Sequence, residues 1–368
     1  MRAGRLVVAI PVKDEAERLG ACLAALAHQT STIALDFVVL VNNSTDDSAR
    51  IARRFAAASE RCWVEEVMLP PAEAHAGGAR RLAMARAAAR AGAGGVVLTT
   101  DADGCVAPDW LSANLAALHN GADAVAGRAV IDPVDEAAIP LALREADARE
   151  CRYAALLNEL AAVIDPAPSD PWPRHDEHSG ASIAVTVAAF RRAGGIPDLA
   201  VGEDRAFFRA LRRVDARIRH APNVRVVVSG RVEGRAKGGM ADTIRRRLIC
   251  PDMFLDDRLE SASAAVLRAR LRRQARLVWS GPDDRSVLAL ARDLLIMPAG
   301  VREFLTTPHF GAAWEALEEA SPALRRQPVP AAAVMSETAI AANILAELRP
   351  RTAADQSESL AARNTSSR

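Results

Sequence analysis

Residues 94–111 read GGVVLTTDADGCVAPDWL, a short apolar run that stops at two aspartates separated by one alanine. The run has the length and β-branched content of a buried strand. In extended chain, alternate side chains point the same way, so Asp101 and Asp103 are expected to face one point at the strand's end. Carboxylates so placed suit a hard divalent cation, Mg2+ or Mn2+, whose shell substrate phosphate completes. Asp-Ala-Asp-Gly is also good turn chemistry, so the pair alone leaves both readings open.

The same alternation of short β-branched runs and Ala-rich stretches fills residues 5–131. RLVVAIP leads into a segment where Leu19, Cys22, Leu23 and Leu26 recur at helical spacing, and FVVLV leads into DDSARIARRFAAA, with Ser44 or Asp46 as candidate caps. WVEEVML reads as a third strand, residues 77–92 as a helix, GGVVLTT as a fourth strand and DAVAGRAVI as a fifth. The pattern predicts an α/β fold: a doubly wound, mostly parallel sheet with helices on both faces. Ligands of such sheets sit outside the carboxyl ends of the strands, where PVKDE, NNSTDD and DADG converge here.

Beyond residue 132 the pattern changes. A long helix is expected over residues 136–164, then a proline-rich linker, the strand ASIAVT, and two helices of which the second opens at Glu203 and Asp204. A strand follows in RIRHAPNVRVVVSGR, and then SGRVEGRAKGGM, a loop of glycines and bases that carries Arg231, Arg235 and Lys237. We divide the chain into residues 1–240, with a nucleotide half (1–131) and an acceptor half (132–240), a mostly helical region 241–350, and a tail 351–368 of disorder-prone composition.

Composition narrows the function classes. The chain has 368 residues, half of them hydrophobic, and 47 Lys and Arg against 46 Asp and Glu, so no broad positive field argues for nucleic acid. Its five cysteines form no CxxC pair, which fits a reducing, cytoplasmic setting. Residues 286–305 are apolar but interrupted by Arg292, Asp293 and Pro298. A core helix is the preferred reading there, with peripheral membrane contact left open.

The first strand-to-helix turn, IPVKDEAERLG, lacks the glycines that let a backbone approach a pyrophosphate, and no GxxxxGK[ST] occurs. Dehydrogenase and P-loop readings are therefore set aside. Four pieces in order, VVAIPVKDEAERLGACLAALAHQ, FVVLVNNSTDDSARIA, VVLTTDADGCVAPDWL and GGIPDLAVGEDRAFFRALRR, resemble family 2 of the glycosyltransferases, enzymes of the GT-A fold. The resemblance covers about residues 5–240.

That resemblance implies roles. Pro11, Lys13, Asp14, Glu15 and Asn42 would line the nucleotide of a UDP- or GDP-sugar, although Val41-Asn42 replaces the acidic pair often found in the second loop. Asp101 and Asp103 would hold the metal that bridges the donor diphosphate, with Arg80, Arg231 and Arg235 near phosphate. Glu203 and Asp204 match the Glu-Asp pair at the acceptor-side helix, and Asp204 is favoured as the base of an inverting transfer to an acceptor hydroxyl. A retaining transferase and a non-catalytic nucleotide-sugar-binding protein are the alternatives. His175 and His178 read as a solvated loop, and Trp110 and Trp172 as packing or sugar-stacking residues.

Overall fold

The computed structural model describes residues 4–231 and 240–349. The first half runs β1 (Leu6–Val12), α1 (Leu19–Ala27), β2 (Asp36–Asn42), α2 (Ser48–Ala57), β3 (Cys62–Val67), α3 (Ala76–Ala91), β4 (Val96–Thr99), β5 (Cys105–Val106), α4 (Trp110–His119) and β6 (Ala124–Ile131). Then come α5 (Pro133–Ala138), α6 (Leu141–Ile164), β7 (Ile183–Thr186), α7 (Val187–Arg192), α8 (Glu203–Arg213) and β8 (Ile218–Val228). The remainder is helical: α9 (Met240–Ile249), α10 (Ala262–Ser280), α11 (Asp284–Leu294), α12 (Pro298–Leu305), α13 (Phe310–Ala320) and α14 (Val334–Leu348).

The eight strands form one sheet in the order β3-β2-β1-β4-β7-β6-β8-β5. Strands β3, β2, β1 and β4 are mutually parallel, as the strand-helix alternation predicts. The fifth predicted strand does not extend that run. β7 inserts between β4 and β6 and is antiparallel to both, while β6 pairs in parallel with β8. This order depends on contacts far apart in sequence, which local periodicity does not encode.

Two apolar layers enclose the sheet. One joins Val8, Ile10, Val39 and Leu98 to Leu19, Leu23, Trp110 and Leu111 of α1 and α4; the other joins Val7, Ala9, Val38 and Val97 to Ala83, Met84, Phe207 and Phe208 of α3 and α8. Adjacent strand residues thus alternate between the two faces, as period-two geometry demands. Trp110 is fully buried and its Nε1–H donates to Ser182 Oγ at 2.8 Å, so packing is its role and no ring face is free for a sugar.

The helix expected over 136–164 is two helices. Ile139, held extended by the following proline, ends α5, and α6 begins at Leu141. Tyr153, Leu157, Leu160 and Ile164 of α6 then pack with Val266 of α10 and Ala341 and Leu345 of α14. In residues 286–305, Val287, Leu290, Leu294 and Val301 are buried against Leu271 and Leu317, so the segment packs into the core as expected, but as two helices, α11 and α12, rather than one. Residues 331–348 are the one described helical stretch with the length and hydropathy (18 residues, mean 1.3) to cross a membrane. The tail assigned to 351–368 lies outside the described residues.

Candidate active site

Two loops at the carboxyl ends of β1 and β2 are laced together. Asp14 and Asn43 both adopt left-handed backbone, φ 51° and 48°, which turns each loop sharply. Asp14 Oδ1 accepts from the Thr45 N–H at 2.7 Å, and the Asp14 N–H donates to Ser44 Oγ at 3.1 Å. Glu15 N–H donates to Ser48 Oγ at 2.8 Å and Ala16 N–H to Asp46 Oδ2 at 2.9 Å. Ser44, one of the two expected helix caps, thus ties the loops together, and Asp46 combines that task with a 2.9 Å bond from the Ser48 N–H at the start of α2. Pro11 and Lys13 are half-buried on this edge. Lys13 makes no ion pair with the described residues, and the amide of Asn42, 2% exposed, makes no hydrogen bond with them.

Beside these loops stand three carboxylates and two guanidinium groups. Asp101 Oδ1 accepts from Arg80 Nη2 at 2.7 Å. Arg231 pairs with Glu15, 3.0 Å between Nη1 and Oε2, and lies 3.4 Å from Asp103 Oδ2. Burial, with the nearby charges of Asp101 and Glu15, pushes the Asp103 carboxyl up to about 6 against the opposing pull of Arg231. Arg235, expected near phosphate, lies outside the described residues.

Arg80 is buried beneath this edge. It donates from Nε to Glu203 Oε1 at 2.9 Å, from Nη1 to the Gly180 carbonyl at 2.7 Å and Thr99 Oγ1 at 3.4 Å, and from Nη2 to Asp101. Burial disfavours its charge, but Asp101 and Glu203 more than offset that and raise its pKa. All three guanidinium nitrogens are therefore engaged by protein. Its neighbourhood demands small residues: a Cβ on Gly180 would stand 2.4 Å from the guanidinium carbon, and one on Gly77 at the start of α3 would stand 1.9 Å from the Leu199 carbonyl oxygen.

The Glu203-Asp204 pair opens α8 directly after Gly202, whose φ of 75° is left-handed. Glu203 is buried and held by Arg80. Asp204 is half-buried. Its Oδ2 accepts from the Gly180 N–H at 2.9 Å and its Oδ1 from the Arg205 N–H at 2.7 Å. The two predicted carboxylate groups, one at the end of β4 and one on α8, thus meet across Arg80.

His175 and His178, read from sequence as a solvated loop, are instead half-buried and partnered. His178 stacks on Phe208 of α8 with centroids 4.6 Å apart, and its Nε2 lies 3.0 Å from His220 Nε2. His220 Nδ1 in turn lies 2.8 Å from Asp170 Oδ2. Burial, reinforced by Arg212 and His220, lowers the His178 pKa to about 2; burial and His220 lower that of His175 to about 4. For Asp170, burial raises the pKa, but hydrogen bonding to His220 and the charge of Arg174 outweigh it and lower it.

Gly180, Thr99, Asp170 and His220 were not singled out from sequence. The glycine before ASIAVT was the available signal for the first; nothing local marks His220, which reaches the loop only because β8 lies beside β6.

No curated protein matches the chain. Among solved structures, a mannosyltransferase from Pyrobaculum calidifontis in complex with GDP-Man and Mn2+ aligns at 18% identity and TM-score 0.44, over 93% of this chain and 81% of that one. S. aureus TarS 1-349 in complex with UDP-GlcNAc aligns at 16% and 0.47, over 86% and 91%. Glucosyl-3-phosphoglycerate synthase from Mycobacterium tuberculosis, in complex with Mn2+, UDP-glucose and phosphoglyceric acid, aligns at 16% and 0.38, over 73% and 80%. The family model described as Glycosyl transferase family 2 matches residues 7–169, the stretch that carries Lys13, Asn42, Arg80, Asp101 and Asp103. Over that stretch the chain is similar to glycosyl transferase family 2.

Proposed function

We propose that this glycosyltransferase moves a sugar from a nucleotide-sugar donor to an acceptor hydroxyl with inversion, using a divalent cation and Asp204 as base. The observation that carries the reading is the Arg80 bridge, which sets Glu203 of α8 one guanidinium away from Asp101 and, through Gly180, ties the neighbouring Asp204 to the same edge. Metal-site carboxylates and a carboxylate base belong in such proximity when one reacting centre lies between them.

The residues present fit a hard cation. Asp101 and Asp103 offer oxygen donors only, and the raised Asp103 reflects burial together with the crowded negative charge of Asp101 and Glu15, which a cation would relieve. Asp101 and Asp103 would hold the cation, with donor phosphate and water as the remaining oxygen ligands. The cation contributes positive charge where the diphosphate departs.

The chain's own groups do the rest. Lys13, without an ion pair among the described residues, is available to donor phosphate, and the side-chain amide of Asn42, without a hydrogen bond among them, to the base or ribose. Arg231, shared between Glu15 and Asp103, sits where phosphate charge arrives. Glu203 is neutralised by Arg80 and acts as a positioning residue. Asp204, with both oxygens oriented by backbone N–H groups, takes the acceptor hydroxyl proton as that oxygen bonds to the anomeric carbon and the nucleoside diphosphate leaves. A cytoplasmic setting suits the five cysteines, all of them unpaired.

The test is Asp204→Asn in the full chain. Sugar transfer is expected to fall at least 100-fold while metal-dependent nucleoside diphosphate binding persists. Unchanged transfer removes the base role, and lost binding moves Asp204 into the donor site.

A further inference from the structure

Asp170, His220 and His178 form a chain that ends at the turn holding Asp204, and we infer that His178 and His220 are positioning residues for that carboxylate. The inference rests on the reading of Asp204 as base. Its geometry is contiguous. Gly180, two residues after His178, donates its N–H to Asp204 Oδ2 and lends its carbonyl to Arg80, so the placement of this one turn sets both. His178 fixes the turn from the other side. Its ring lies on Phe208, which is one helical turn beyond Asp204 on the same face of α8.

The polar contact selects a hydrogen arrangement. A 3.0 Å approach of two Nε2 atoms requires one hydrogen between them. His220 Nδ1–H donates to the Asp170 carboxylate, which also accepts from the His220 backbone N–H at 2.9 Å and from Arg219 at 3.2 Å. Arg212 Nη1, a donor only, stands 3.5 Å from His178 Nε2 and favours a lone pair there. The shared hydrogen fixes the relative orientation of the two rings, and Asp170 fixes that of His220. The groups facing this pair are Asp170, Arg212, His175 and, at longer range, Arg258. The turn's placement is thereby tied to the orientation of the pair.

Four proteins test this: wild type, His178→Leu, which keeps apolar packing on Phe208, His178→Gln, which keeps a polar tip, and His220→Gln. Hydrogen exchange is measured over residues 176–184 and 202–208, together with nucleoside diphosphate release from UDP-glucose and GDP-mannose with Mn2+ across pH 5.5–8.5. The expected result is at least tenfold faster exchange in both segments of His178→Leu, with residues 6–16 unchanged and His178→Gln near wild type. Where a probe is turned over, kcat falls about tenfold in His178→Leu and His220→Gln with KM for the donor held. Exchange as in wild type, or a raised donor KM with kcat held, overturns the inference. If His178→Leu does not fold, His220→Gln is decided by the same exchange criterion. Asp204→Asn assayed alongside separates the two claims: an active Asp204→Asn protein defeats the base reading, whereas an inactive one beside normal histidine variants defeats only the positioning.

Discussion

Arg80 Nε lies 2.9 Å from Glu203 Oε1, a contact between residues 123 positions apart, and the same guanidinium reaches Asp101 at 2.7 Å. One buried cation thereby sets the spacing of carboxylates from two halves of the sheet. Removing it leaves two acidic groups facing one another without compensation.

Arg80→Met is accordingly expected to lower unfolding stability by about 3 kcal/mol or more, the usual cost of stripping one partner from a buried ion pair. Urea unfolding measures this. Arg80→Lys should recover only part, because one ammonium cannot reach Glu203, Gly180 and Asp101 in the same planar arrangement.

Gly180→Ala tests the close approach of the turn to that guanidinium. The added methyl meets Arg80 at 2.4 Å, so either the turn or the arginine must move. We expect a loss of about 1–3 kcal/mol, typical of overpacking, with a larger proportional loss of turnover than of nucleoside diphosphate affinity. Calorimetry and steady-state kinetics on the same preparation check both.

Asp103→Asn should separate stability from function. The carboxyl is crowded by Asp101 and Glu15, so the neutral amide is expected to raise the melting temperature of metal-free protein at pH 7.5 by a few degrees. It should also abolish any further stabilisation by a nucleoside diphosphate with Mn2+. A substitution that lowers the metal-free melting point instead marks the aspartate as structural.

The half-buried histidines His175 and His178 set an acid limit. His175 and His178 are held neutral, with folded pKa values of about 4 and about 2, below the ordinary 6.5. The unfolded chain then binds more protons below pH 6.5, so their contribution is complete above that pH and is lost progressively as pH falls towards 4. Melting temperatures at pH 7.5, 6.0 and 5.0 should fall in that order, and His178→Phe should flatten the slope.

Much of the donor half was legible because its signals are local. The runs that form β1, β2 and β4 are β-branched and stop at polar loops, which places Lys13, Asn42 and Asp101 on one edge from sequence alone. The Glu203-Asp204 pair was legible as a helix start, but their division of labour was not: burial and Arg80 distinguish Glu203 from Asp204, and both depend on how α3 meets α8. Likewise Arg80 was expected at phosphate and instead lies under the carboxylates, since sequence records its charge but not its depth. The histidine chain was misread for the same reason, with His220 arriving on a strand 42 residues after His178.

The most direct test of nucleotide-sugar transfer is the melting temperature of the full chain with UDP, GDP, ADP and CDP, each with and without Mn2+. A ligand that binds only the folded state raises it by mass action. The account predicts a rise of several degrees with one diphosphate, dependent on Mn2+, kept in Asp204→Asn and lost in Asp103→Asn. A folded protein that responds to none of the four, or whose response is indifferent to the metal and to Asp103, contradicts it.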